Sequence, residues 1–193
     1  MKFRLLIVLL FFVLFPGLYS QLYSPADSLA LLEIDAACDV SDKLNWDTEP
    51  DPGSWEGVSW NAEYIKRVDK LEIYNKSLTG SMDVSELKNL TYLRCESNHL
   101  TDLNVTSLPE LKILYCSFNL IDHIDVSGLN KLYDLECAGN PLLNLELSGL
   151  PCLTWLVCES CQLTRLQLSS LPGLTEPVVD LLRSRRSPEA GDR

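Results

Sequence analysis

From Leu93 to Leu174 the apolar and polar positions of this chain follow a fixed 21-residue frame without an insertion. Leu93, Leu114, Leu135 and Leu156 fall in register, followed two positions on by Cys95, Cys116, Cys137 and Cys158. Leu108, Leu129, Leu150 and Leu171 make a third column, and Leu111, Leu132, Leu153 and Leu174 a fourth. A unit this short cannot bury its own apolar face, so a constant period means that copies of one supersecondary unit are stacked. Alternation around Leu93 and Cys95 predicts a short strand, and the wider spacing from Leu100 to Leu111 predicts a return path.

An open stack needs a lid over its first unit, since the apolar cross-section would otherwise face water. Ser24-Pro25-Ala26-Asp27 predicts a helix start, with Ser as cap, Pro at the first helical position and a carboxylate in the first turn. Leu29, Leu31, Leu32 and Ile34 supply the apolar side of a short helix ending near Cys38. The turn-rich stretch Glu49 to Gly53, together with Trp46, Trp55 and Trp60, forms a large aromatic, irregular covering. The first repeat, from Leu71 and Ile73 through Leu78, Met82, Val84, Leu87 and Leu90, carries one extra residue between Leu78 and Met82. Beyond Leu174 the register is expected to stop. Thr175 to Leu182 fits a helical turn or two, as a minimal lid or an unfinished end, and Arg183 to Arg193 is charged and unstructured in character.

One turn reads Leu93-x-Cys95-x-x-Asn98-x-Leu100-x-x-Leu103-x-Val105-x-x-Leu108-x-x-Leu111, which resembles a leucine-rich repeat. The resemblance implies an α/β-type solenoid: a leucine-rich repeat stack with parallel strands on the concave face, mostly irregular or short-helical return segments and a short N-terminal helical cap. Cysteine at the second strand position and returns such as Asp125-Val126-Ser127 are similar to secreted bacterial, internalin-like repeats. Asp27 to Leu32, Trp55 to Val58, Arg67-Val68 and Leu78-Thr79-Gly80 resemble a plant-type N-terminal cap. That family usually flanks its Trp-x-Gly-Val core with a disulfide, and the matching positions here hold Gly53 and Trp60. The expected division is a leader at 1–20, a cap at 21–70, repeats at 71–174 (one of the 22-residue type, then four of 21) and a tail at 175–193.

Lys2 and Arg4 precede an apolar run from Leu5 to Phe15, broken by Pro16-Gly17, with Ser20 a small residue before Gln21. This reads as a secretory signal peptide. The competing reading, an uncleaved anchor, is disfavoured because the run falls short of the roughly 18 residues that span a bilayer. Secretion or a cell-surface, extracytoplasmic location follows, with no membrane span once the leader is cleaved. The formal net charge is −11, and removing Lys2 and Arg4 with the leader takes it to −13. A chain this acidic is a poor nucleic-acid binder.

Most apparent chemistry is absorbed by the frame. Cys95, Cys116, Cys137 and Cys158 recur at one position and read as small polarizable core residues; disulfides along the column would need local distortion. Cys158-Glu159-Ser160-Cys161 makes a Cys-x-x-Cys, yet Cys161 occupies the place of Asn98, Asn119 and Asn140, so its spacing is inherited, and no second pair completes a metal site. Those asparagines are expected to form a structural amide ladder where each strand ends. His99 and His123 stand at exposed positions without a nucleophile partner, and Asp122/Asp125 reads as a solvated face. No cofactor is expected. Asn75, Asn89 and Asn104 head glycosylation acceptor patterns, which matter only if the source is eukaryotic.

Specificity is therefore expected in the strand positions that do not repeat. One outward column is Lys70, Tyr92, Ile113, Asp134 and Trp155; the next is Glu72, Arg94, Tyr115, Glu136 and Val157; a third is Tyr74, Glu96, Ser117, Ala138 and Glu159, with Phe118 just beyond. Aromatic side chains beside Arg and carboxylates are the composition of interface hot spots. The candidate partner-binding residues are thus Tyr74, Tyr92, Arg94, Glu96, Ile113, Tyr115, Phe118, Asp134, Glu136, Trp155, Val157 and Glu159. A protein partner is expected, a glycan being the second ligand class. The alternative is a structural segment of a larger adhesin or envelope protein. An enzyme fits less well, because an open face of short repeats encloses little.

Overall fold

The structure, a computed structural model, describes residues 23–38, 44–47, 49, 51–168, 171–174 and 176–178. The expected leader at 1–20 and the tail from 179 onward lie outside these residues. The elements in chain order are helix α1 (Pro25–Cys38), a 3-10 turn (Pro52–Ser54), and strands β1 (Val58–Trp60), β2 (Val68–Glu72), β3 (Thr79–Asp83), β4 (Tyr92–Arg94), β5 (His99–Asn104), β6 (Ile113–Tyr115), β7 (Asp134–Glu136), β8 (Asn144–Glu146), β9 (Trp155–Val157), β10 (Arg165–Gln167) and β11 (Glu176–Val178).

A 7-stranded sheet runs β1-β2-β4-β6-β7-β9-β11. From β2 onward every neighbour is parallel, and the partners Leu71, Leu93, Leu114, Leu135 and Leu156 succeed one another in register. The constant period causes this, since each turn of chain returns the same residue to the adjacent rung, about 4.8 Å along the stack. On the return side β3 pairs with β5 and β8 with β10, both parallel, and the described return segments contain no helix. The inward columns Leu71/93/114/135/156 and Cys95/116/137/158 are at most 1% exposed and sit in one continuous core.

Where each strand ends, an asparagine ties its turn to the one before. Asn119 Nδ2 donates to the Cys95 and Cys116 carbonyls at 3.0 Å each, and its Oδ1 accepts from the Leu100 amide at 3.1 Å. Asn140 repeats this with the Cys116 and Cys137 carbonyls and the Ile121 amide. Asn98 does so with the Ile73 and Cys95 carbonyls and the Lys76 and Leu78 amides. A side-chain amide suits this place because it satisfies orphaned donors and acceptors together. The residue before each ladder position turns the chain with a left-handed φ: Ser97 58°, Phe118 56°, Gly139 66° and Ser160 55°.

The sheet does not stop at Leu174. Where a helical turn was expected, Glu176–Val178 add a parallel strand, with Pro177 opposite Leu156. The 21-residue frame explains the difference, because it carries Pro177 into the leucine column, and proline is tolerated on an edge strand. Burial loosens toward this end: Leu163, Leu166, Leu171 and Leu174 are only partly buried.

The first turn is covered from two sides. β1 pairs antiparallel with β2 and occupies what would be an open strand edge, while α1 lies against β3, with Cys38 Sγ donating to the Ser81 carbonyl at 3.1 Å. Ser24 caps the helix through the Asp27 amide at 3.3 Å. The three tryptophans each donate their indole N–H to a backbone carbonyl: Trp46 to Glu56, Trp55 to Glu49 and Trp60 to Pro52. Trp46 and Trp55 stack with centroids 6.0 Å apart. At the two positions where the cap family carries cysteines, Trp60 packs edge-on against Tyr23 at 4.8 Å. A side chain at Gly53 would begin 2.1 Å from the Tyr23 hydroxyl. Aromatic packing thus occupies the space of the cap disulfide.

Candidate functional site

Strand alternation, fixed by burial of the leucine and cysteine columns, turns the non-repeating residues onto the outer face of the seven-stranded sheet. Tyr92, Ile113, Asp134 and Trp155 lie in one row and Arg94, Tyr115, Glu136 and Val157 in the next, each residue directly beside the one from the adjacent turn. Trp155, Tyr74 and Phe118 are exposed, at 44%, 44% and 61%. Tyr92, Arg94, Glu96, Ile113, Tyr115, Asp134, Glu136 and Val157 are half-buried, and Glu159 is exposed. The third outward row departs from expectation: Ser117 and Ala138 are buried, being small side chains that sit below the level of their larger neighbours.

The rows are linked across turns. The Tyr115 hydroxyl donates to Asp134 Oδ2 at 2.8 Å, and the Tyr92 ring meets the Tyr115 ring edge-on at 5.9 Å. Arg94 Nε donates to Glu96 Oε1 at 2.5 Å, while its guanidinium lies 4.2 Å from the Tyr74 ring centre. Burial pushes the Tyr115 phenol far up, helped by the Asp134 hydrogen bond. Burial also raises the Asp134 carboxyl, against that same hydrogen bond. Glu136 is raised by burial and then by the charges of Asp134 and Glu96, with Arg94 opposing. Glu96 Oε2 and Asp134 Oδ1 are buried acceptors, and Ser117 Oγ a buried hydroxyl, without a partner among the described residues. This face is acidic and desolvated, and its acceptors exceed the donors that its own side chains supply.

Phe118 adds a strained element. Its φ of 56° is one that bulky residues rarely adopt, and its ring lies over Gly139, where a Cβ would come within 2.7 Å of it. At the cap end of the face, Glu56, Gly57, Glu72, Tyr74, Asn75 and Lys76 line a depression of about 390 Å³. Lys76 Nζ meets Glu56 Oε1 there at 2.6 Å. The repeat frame could not place Glu56 and Gly57, because the cap has no register to assign them a face.

Other candidates resolve into structure. Asn104 Oδ1 accepts from the Thr106 amide and hydroxyl at 3.1 and 2.7 Å, the turn that Asp83 makes with Ser85 and Asp125 with Ser127. Asn75 is exposed and Asn89 half-buried. His99 and His123 are both exposed. Among the described residues no group of three or more His, Cys, Asp or Glu is placed to hold a metal ion.

No family model matches the chain. Among solved structures it is similar to the functional domain of InlJ from Listeria monocytogenes, which includes a cysteine ladder. Identity is 36%, the match covers 52% of this chain and 23% of that one, and the TM-score is 0.50. The buried column Cys95, Cys116, Cys137 and Cys158 is such a ladder. The chain is a leucine-rich repeat protein. Its fold is shared with the BIR3–SERK2 complex from Arabidopsis thaliana, at 24% identity, TM-score 0.65 and coverage of 75% of this chain and 87% of that one. Among curated proteins, the Arabidopsis thaliana "Probable leucine-rich repeat receptor-like protein kinase" is 42% identical over 72 residues. That match takes in 37% of the leucine-rich repeat chain and 10% of the kinase's length. No helix among the described residues is long and apolar enough to cross a membrane.

Proposed function

We propose that this leucine-rich repeat protein is an exported, non-catalytic module that binds a protein partner through the concave, outer face of its sheet. The reading rests on one arrangement: the half-buried Tyr92–Tyr115–Asp134 cluster beside Arg94 and Glu96, in which one carboxylate oxygen of each acid, Glu96 Oε2 and Asp134 Oδ1, is desolvated and unpartnered among the described residues. An acceptor left unmade in this way costs about 1–3 kcal/mol, which a donor from a partner would recover. Phe118 and Trp155 flank the cluster as exposed aromatic anchors. Export is supported by the leader-like sequence from Met1 to Ser20.

The test is binding of the chain from Gln21 onward to a panel of purified extracellular proteins, peptides and glycans. A protein hit whose affinity drops about 10-fold or more in the Tyr115→Ala/Trp155→Ala double variant supports the reading. Hits confined to glycans, or protein binding unchanged by that variant, overturn it.

A further inference from the structure

The parallel ladder continues past the ends of the strands: the amides of Asn75, Ser97, Phe118 and Gly139 donate in turn to the carbonyls of Glu96, Ser117, Ala138 and Glu159. Those four acceptor residues are therefore neighbours on successive turns, all in the third outward row. Ser117 and Ala138 are the small pair at its centre, 6% and 3% exposed. Glu96 and Glu159 stand on either side of them, half-buried and exposed respectively. Two short side chains between longer ones leave a recess in the outer face. Tyr115 and Glu136, paired in the second row, border it on one side, and the exposed Phe118 ring, lying over Gly139, borders it on the other.

The polar groups around this recess are short of donors. Cys116 points into the core, so Ser117 beside it projects outward, yet its hydroxyl is buried and meets no hydrogen-bond partner among the described residues. Glu96, one turn earlier, accepts from Arg94 through Oε1 and leaves Oε2 buried and unpartnered among the same residues. Burial, and then the charges of Asp134 and Glu96, raise the Glu136 carboxyl against the pull of Arg94. That one guanidinium is already engaged by Glu96 and the Tyr74 ring. Across the three outward rows two cations, Lys70 and Arg94, face five carboxylates: Glu72, Glu96, Asp134, Glu136 and Glu159. A buried hydroxyl and a buried carboxylate oxygen on adjacent turns, in acidic surroundings with an aromatic edge, call for a cation that carries several donors.

We propose that the recess over Ser117 and Ala138 receives an arginine side chain from a basic segment of the protein partner, an inference that rests on the concave-face reading and names the chemistry of its ligand. A guanidinium presents five N–H donors in a planar fork. From one position it reaches both Glu96 Oε2 and Ser117 Oγ, on adjacent turns about 4.8 Å apart. Its flat face stacks on the Phe118 ring, and its charge offsets that of Glu136. A lysine brings a point charge on a flexible stem, which answers the charge but not the fork and the stacked plane. The excess of carboxylates on the face also steers a basic surface toward it.

The experiment offers a synthetic octapeptide library to the immobilised chain from Gln21 onward, at about 0.15 M salt, where attraction between exposed charges is screened beyond about 8 Å. The bound peptides should show arginine enriched about 5-fold at one position of a shared motif, with lysine there enriched less. The best peptide is then remade with citrulline, which keeps the shape of arginine and loses its charge, and its affinity should fall about 10-fold or more. Glu96→Gln should weaken the arginine peptide about 10-fold and Ser117→Ala about 3-fold. Asp122→Asn, which removes a charge at an exposed position outside the sheet, should leave its affinity unchanged. No captured peptide, lysine and arginine enriched alike at every position, or a citrulline peptide that binds as well overturns the proposal, and none of these depends on a variant folding. Peptides without an arginine preference that are lost in the Tyr115→Ala/Trp155→Ala variant overturn this proposal and leave the concave-face reading standing. Arginine peptides that bind unchanged to both that variant and Glu96→Gln overturn the two together.

Discussion

Arg67 closes a charged clamp on Asp27: its Nε lies 2.9 and 3.0 Å from the two carboxylate oxygens and its second guanidinium nitrogen 2.8 Å from one of them. Asp27 is fully buried and also accepts from the Ser24 hydroxyl and the Val68 amide. The pair joins the start of α1 to the start of β2, and so docks the cap on the first repeat. Arg67→Ala strands a buried carboxylate and should destabilise the domain by about 3 kcal/mol. The double change Asp27→Leu/Arg67→Met should recover much of that loss. Urea unfolding of the parent and the two variants checks both expectations, and an Arg67→Ala protein as stable as the parent would refute the clamp's role.

Gly57 lies in the left-handed region at φ 79°, and a Cβ there would sit 2.3 Å from the Glu72 carbonyl oxygen. Its own carbonyl accepts from the Glu72 amide at 2.7 Å, so the backbone has no room to withdraw. Gly57→Ala should cost about 2 kcal/mol and lower Tm by roughly 4–8 °C in a thermal melt.

At Phe118 the strain should be separable from the contact. Phe118→Gly relieves the left-handed backbone while Phe118→Ala keeps it, so the glycine variant should be the more stable by about 1 kcal/mol. Partner affinity should fall equally in both, because each removes the ring. Equal stability would show that the turn carries no strain.

Replacing Cys161 by asparagine should complete the ladder. An amide there regains both donor and acceptor functions, a gain of about 1 kcal/mol in unfolding free energy. Asn119→Ala should instead cost about 3 kcal/mol, since the Cys95 and Cys116 carbonyls and the Leu100 amide all lose a partner. A neutral Asn119→Ala would remove the ladder from the account of stability.

Glu136 makes a pH prediction of definite sign. Its carboxyl is raised in the folded state by burial and by Asp134 and Glu96, so the fold binds this proton more tightly than the unfolded chain. That group's contribution therefore weakens as pH rises from the ordinary carboxylate value near 4 through the raised value, and is unfavourable at neutral pH. Glu136→Gln should raise Tm at pH 7, and the advantage should vanish as pH approaches about 4. An advantage independent of pH would assign the effect to packing.

The 21-residue period was enough to define the stack, its register and its inward columns, because a parallel ladder copies sequence spacing directly into space. It also located the outward rows, since side chains alternate along a strand. What the period could not specify is how far a side chain stands above its neighbours, which is why Ser117 and Ala138, assigned outward, lie buried. The same frame, followed one unit further, would have placed Pro177 in the leucine column. There the helix-like composition of the segment concealed a strand that gains its partner only from β9.

The cap shows the converse. Its residue types announced a helix and an aromatic covering, yet without a repeat the contacts of Tyr23 with Trp60 and of Arg67 with Asp27 join residues about 40 apart that no local pattern links. The repeating residues alone define the solenoid, its ladders of Leu, Cys and Asn, and the set of positions free to vary. Which of those positions meet emerges only on folding: Tyr115 with Asp134, Arg94 with Tyr74 and Glu96, and Cys161 with the Cys137 carbonyl. Register places backbones, whereas burial, hydrogen bonding and unequal side-chain length between adjacent turns place functional groups.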